Sequence, residues 1–285
     1  MDGYEASCEV PCKGKEINVT NCASIKVESV QNLLIHLDAK SPLFMMSNDF
    51  RERYQRQLLL PEVGEKGQLL LAQKRVVVVG AGGLGCTLLP LLVGSGVGHL
   101  VICDNDVVSL SNLPRQTLYT VSQIGQSKAQ LAEEHLRASN PDCDIKVYTE
   151  RLVEQNAAQI LGNCDLIVDA TDNEPTRRLL DRYAQAHSTP WLYISVEGWQ
   201  GQIALFDAQH PTYGALFPID DNEVTAVNKA DLCSATIPVM STTPALLGAL
   251  AATEAIKYLL SLPTQLSDSL LLVDGLRLSF QRILR

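Results

Sequence analysis

Gly80-Ala81-Gly82-Gly83-Leu84-Gly85 follows four valines, Val76–Val79, and precedes an apolar helical stretch. The pattern fits GxGxxG. Alone it is weak, but between a buried strand and a helix it predicts a phosphate-binding turn. Gly80 would permit the tight turn, Gly82 would let backbone approach a phosphate, and Gly85 would let helix and strand pack closely. Gly83 completes the turn. The helix behind it offers free N–H groups to an anion. Asp104 ends the next strand, 19 residues beyond Gly85, where a carboxylate would meet ribose hydroxyls. These residues alone fit a dinucleotide-dependent dehydrogenase, or a glycine-rich turn with no ligand.

Four further polar clusters argue against hydride transfer. Arg53-Tyr54-Gln55-Arg56-Gln57 stands before the first strand, and Asn112-Leu113-Pro114-Arg115-Gln116 follows the second. Gly125-Gln126-Ser127-Lys128 opens the next helix, and Asp169-Ala170-Thr171-Asp172-Asn173 closes the fourth strand. A triphosphate needs several cations, plus carboxylates for its magnesium; a nicotinamide site does not need so many. Taken singly, each residue has a plainer reading: Arg56 as a solvated face, Lys128 as helix surface, Arg115 as the partner of a carboxylate.

These clusters need a scaffold, and the hydrophobic pattern supplies one. Strands are predicted at Lys74–Val79, Leu100–Cys103, Ile145–Tyr148, Leu166–Ala170, Trp191–Val196 and Gln202–Asp207. Helices are predicted at Leu84–Val93, Gln123–Ser139, Asn173–Ala186 and Pro244–Leu260, with one more between the third and fourth strands. Alternation of this kind implies an α/β, Rossmann-like fold with a mostly parallel sheet covered on both faces. His210–Met240 reads as a long crossover loop, and Ser269–Asp274 with Arg277–Leu284 as C-terminal antiparallel strands. Residues 1–50 differ and read as a separate extension, either a strand–strand–helix piece or a loose arm, ahead of one domain over 51–285.

The 285 residues carry a net charge of −9, which disfavours nucleic acid as a partner. Ala235–Thr253 is uncharged, but its two prolines and five Ser/Thr residues predict a buried helix rather than a membrane span. Eight cysteines are scattered without a CxxC pair. With no visible export signal, a reducing cytoplasm is the expected location.

Read in order, RYxRQ at Arg53–Gln57, GxGGLG at Gly80–Gly85, D-x-D-x-V-x-x-S-N-L-x-RQ at Asp104–Gln116, G-x-x-K at Gly125–Lys128 and D-x-TDN at Asp169–Asn173 resemble the ThiF/MoeB/HesA adenylyltransferases, relatives of ubiquitin-activating enzymes. The resemblance extends from roughly Arg51 to Leu284. It implies ATP-dependent activation of the C-terminal glycine carboxylate of a ubiquitin-like sulfur carrier, or of a peptide, as an acyl-adenylate. It places Asp104, Asp106 and Asn112 around the nucleotide, Arg115 and Lys128 on phosphates, and Asp172 on Mg2+ or phosphate. Arg56 would reach ATP bound in the partner subunit of a homodimer. Gly198–Gln202 and Phe217–Asp220 favour the thiazole-synthesis branch; molybdopterin-branch, ribosomal-peptide-modifying and non-catalytic relatives are the alternatives.

Two departures stand out. Family members usually hold a structural zinc between two CxxC pairs, one just before Leu-Phe-Pro. Here those positions are Thr212 and Ala215, and no second pair follows the last strand, so no zinc is expected. Cys233 stands near the position of a family cysteine that joins sulfur transfer in some members; the other reading is a plain loop thiol.

Overall fold

The structure, a computed structural model, describes residues 47–218 and 237–285. The expected strand–strand–helix piece near the start of the chain, Cys233 and most of the crossover loop lie outside these residues.

An eight-stranded sheet has the order β3-β2-β1-β4-β5-β6-β7-β8. Its strands are β1 (Arg75–Val79), β2 (His99–Cys103), β3 (Asp144–Tyr148), β4 (Leu166–Asp169), β5 (Trp191–Glu197), β6 (Gln200–Phe206), β7 (Ser269–Asp274) and β8 (Ser279–Leu284). β1 to β5 are parallel, and β6, β7 and β8 join antiparallel. This is the Rossmann-like mixed sheet that the pattern predicts. Val76–Val79 are all buried, because helices cover both faces of a central parallel strand.

The helices are α1 (Asn48–Leu58), α2 (Gly64–Leu71), α3 (Gly85–Gly94), α4 (Lys128–Ser139), α5 (Glu154–Leu161), α6 (Glu174–His187), α7 (Tyr213–Leu216) and α8 (Thr242–Leu259). Val76, Val78, Leu100 and Ile102 pack with α3, α4 and α8. Val77, Val79, Val101 and Cys103 pack with α5, α6 and α7 on the other face. The alternation of strand side chains divides one sheet into these two cores.

Three expectations need correction. The helix predicted from Gln123 begins at Lys128. Val121–Gln123 is a separate 3-10 turn closed by a capping box with Thr120; Gly125 then takes φ +87°, and Ser127 forms an isolated antiparallel bridge with Val107. α1 and α2, before the first strand, went unpredicted. The stretch read as loop from His210 contains α7, whose Thr212 hydroxyl accepts the Ala215 N–H at 3.2 Å.

Candidate nucleotide site

The glycine turn lies at the carboxyl end of β1, where the strand order reverses: β2 and β3 lie on one side, and β4 onward on the other. Ligands of open α/β sheets bind in this crevice. Gly80 has φ +103°, and a Cβ there would stand 2.6 Å from the Ala170 carbonyl oxygen. A Cβ on Gly85 would stand 2.5 Å from the Gly80 oxygen. Side chains are therefore excluded at both ends of the turn. The N–H groups of Gly82 and Gly83 have no hydrogen-bond partner among the described residues, and α3 starts directly behind them. Unpaired amides at a helix start suit an anion.

Asp104 braces this turn. Its Oδ2 accepts the Ala81 N–H at 2.6 Å and its Oδ1 accepts the Asp106 N–H at 2.8 Å. Burial raises the carboxyl pKa, and the same two N–H groups pull it back. Each carboxylate oxygen can accept a second bond, which leaves capacity for sugar hydroxyls.

Lys128, the first residue of α4, is buried, and its Nζ lies 2.9 Å from Asp106 Oδ2; side-chain exposure is 5% for the lysine and 63% for the aspartate. An arriving anion thus has access to the pair from the Asp106 side. The Lys128 N–H also donates to the Asp106 carbonyl at 3.0 Å. Asn112 sits in a 3-10 turn (Leu110–Asn112), and its carbonyl accepts the N–H groups of Arg115 and Gln116. Arg115 Nη1 donates to the Ser111 carbonyl at 3.1 Å, and its Cγ would lie 3.4 Å from a Cβ on Gly83. The guanidinium segment therefore runs beside the turn.

From β4, the Ala170 carbonyl touches Gly80, which brings Asp172 to the same mouth. Asp172 is exposed and forms no ion pair among the described residues. Asp169 is different. It is fully buried, accepts the Thr171 hydroxyl at 2.6 Å, and faces Arg177 Nε at 3.3 Å. Burial raises its pKa, and Arg177 with the Thr171 donors opposes the rise. Between the two, the open Asp172 is the one that fits a magnesium ligand.

Arg56 is not brought to this site within one chain. α1 is fastened at the far end of α3: Gln57 Nε2 donates to the Gly94 carbonyl at 3.4 Å, and buried Tyr54 accepts a bond from Asn140 at 2.9 Å. The length of α3, about 15 Å, separates that end from the glycine turn, and Arg56 is exposed.

Sequence reasoning passed over three residues here. Gln116 is buried, its Nε2 would lie 3.6 Å from a Cβ on Gly82, and its Oε1 has no partner. Its place in the Asn112–Gln116 cluster was the available signal. Arg177 follows Asn173, the N-cap of α6, by one helical turn, a spacing that points it back at the strand end. Tyr119, buried, donates from its hydroxyl to the Ala81 carbonyl at 2.8 Å and to the Lys128 carbonyl at 3.2 Å; nothing in its sequence neighbourhood marks it.

Between Thr212 and Ala215, hydrogen bonds and aromatic packing hold α7 in place. The Asp181 carboxylate accepts the N–H groups of Tyr213 and Gly214 at 3.1 and 3.0 Å, and Tyr213 donates to Glu174 at 2.6 Å. Tyr213 and Phe217 pack, tilted or edge-on, into an aromatic cluster with Trp191, Tyr193 and Phe206. Among the described residues no group of three or more His, Cys, Asp or Glu could hold a metal ion, and no helix is long and apolar enough to cross a membrane. Burial pushes the thiols of Cys86 and Cys143 up to about 11, and those of Cys103 and Cys164 up to about 12.

A glycine turn at the switch point of a mostly parallel sheet, flanked by a bracing carboxylate and a buried lysine, defines a nucleotide-binding protein of Rossmann type. The ThiF family model matches residues 54–285, and the chain belongs to the ThiF family. It is 40% identical over 240 residues to a sulfur carrier protein adenylyltransferase of Thermus thermophilus, covering 81% of this chain and 86% of that one. It is 38% identical over 244 residues to an adenylyltransferase and sulfurtransferase of Mus musculus, covering 85% of this chain and 52% of that one; the match spans about half the length of the mouse protein. A crystal structure of Escherichia coli MccB with ATP superposes with a TM-score of 0.72 over 92% of this chain and 80% of that one, at 18% identity, a likeness of fold.

Proposed function

We propose that this chain adenylylates the C-terminal glycine carboxylate of a small ubiquitin-like sulfur carrier. A carboxylate oxygen bonds to the α-phosphorus of ATP as the bond to the bridging oxygen breaks, and pyrophosphate leaves. The observation that carries the reading is the convergence on one turn of free N–H groups at Gly82 and Gly83, Arg115 beside Gly83, and Lys128 behind Asp106. Preplaced donors and cations meet charge that grows on the phosphates, and Asp104 orients the nucleoside. Magnesium, with Asp172 as its protein ligand, would neutralise pyrophosphate. No covalent intermediate with the chain is required for this step.

Arg56 belongs to the site of a second copy in this reading, since one chain keeps it about a helix length away. The name of the Thermus relative supports sulfur-carrier activation, and that of the mouse relative supports adenylyl transfer; the thiazole branch rests on Gly198–Gln202 and Phe217–Asp220 alone. ATP–pyrophosphate exchange, measured with recombinant ubiquitin-like proteins ending in Gly-Gly, tests the proposal. Exchange that depends on the carrier is expected. Absence of exchange with every such carrier, together with no binding of ATP, would end it.

A further inference from the structure

Five hydrogen bonds close a ring through the site. The Ala81 N–H donates to Asp104 Oδ2 at 2.6 Å, and Asp104 Oδ1 accepts the Asp106 N–H at 2.8 Å. The Asp106 carbonyl accepts the Lys128 N–H at 3.0 Å. The Tyr119 hydroxyl then reaches the Lys128 carbonyl at 3.2 Å and the Ala81 carbonyl at 2.8 Å, which returns the ring to its start. A hydroxyl has one proton, so the two carbonyls share it, and the shorter bond holds Ala81. Burial raises the Tyr119 phenol pKa and keeps it a donor.

Three of the five links lie in the backbone or in the Asp104 carboxylate already assigned to the nucleotide. The other two are made by the buried Tyr119 hydroxyl, whose partners are both backbone carbonyls. We propose that Tyr119 is a positioning residue that fixes the base of Lys128 relative to the glycine turn, so that one triphosphate can span both. Asp106 holds the lysine's ammonium until the phosphates arrive. The ammonium then swings to them from a backbone that Tyr119 and the Asp106 carbonyl keep in place. This inference rests on the nucleotide reading above and deepens it.

Calorimetric titration of the full chain with MgATP tests it in four proteins: wild type, Tyr119→Phe, Lys128→Ala, and the double variant. Phenylalanine keeps the ring and its packing and removes one hydroxyl. Tyr119→Phe is expected to weaken MgATP binding about five- to tenfold, the scale of one lost hydrogen bond. Adding Tyr119→Phe to Lys128→Ala is expected to weaken it no further, because the positioned group is already gone. The same weakening in both backgrounds would make Tyr119 a structural residue and overturn the proposal, as would no weakening in either. A wild-type protein that binds no MgATP would instead overturn the nucleotide reading, and the inference with it.

Discussion

Arg115 and Asp172 carry opposite charges, but both stand at the mouth of the site and neither is needed by the core. Removing either should therefore leave the fold in place and damage the chemistry. Arg115→Ala and Asp172→Ala are each expected to lower carrier-dependent pyrophosphate exchange about 100-fold or more, with melting temperatures close to wild type; near-normal exchange in both would refute these assignments. The thiols make a second residue-scale prediction. Alkylation needs thiolate, and with a pKa of about 11 roughly a thousandth of Cys86 is ionised at pH 8. Iodoacetamide at that pH should leave Cys86, Cys103, Cys143 and Cys164 unmodified in the native protein and label them after denaturation, as read by peptide mass spectrometry. The residues that speak through local pattern were legible in the sequence: Gly80, Gly85 and Asp104 sit at fixed offsets from a strand. Tyr119 was not, because its meaning lies in two carbonyls, Ala81 and Lys128, from other segments.

At the scale of elements, hydrogen bonds hold the start of α7 to α6. Asp181 is buried and satisfies two backbone N–H groups at the start of that short helix. Asp181→Ala leaves both unpaired, at a cost of about 1–3 kcal/mol, and should lower the melting temperature by several degrees. A chelator such as EDTA should not move the wild-type midpoint, and elemental analysis should find well under one zinc per chain; stoichiometric zinc would reverse this view. Strands and long helices were readable because burial imposes period on them, and β1 through β8 fall close to their expected bounds. Ends set by backbone conformation were harder to read. The positive φ of Gly125 and the pairing of Val107 with Ser127 delay α4 by five residues from the predicted start at Gln123. α7 spans four residues, too few for a period to show.

For the whole molecule, the distance of Arg56 from the turn makes a single chain an incomplete site in this reading. If two copies exchange this arginine, Arg56→Ala and Arg115→Ala are each deficient alone, yet a mixed dimer contains one intact site. Equal mixing with subunit exchange should restore about a quarter of wild-type exchange activity, since half the dimers are mixed and each has one good site of two. A monomer with full activity in sedimentation-controlled assays would exclude this. The sheet's class and direction were legible from alternation alone, whereas the placement of α1 against the far end of α3 was not, since it depends on Tyr54 finding Asn140 across the fold. Gly83 also faces α8: a Cβ on it would lie 3.1 Å from Pro244 Cβ. Just upstream, Met240 and Thr243 are tied to the Gly198 carbonyl at 2.9 and 3.0 Å. The polypeptide returning from the crossover is thus pinned to the β5–β6 bend and ends as a wedge against the phosphate turn. The width of the cradle is bounded on that side by a proline ring, and α8 cannot slide toward β1 without narrowing it.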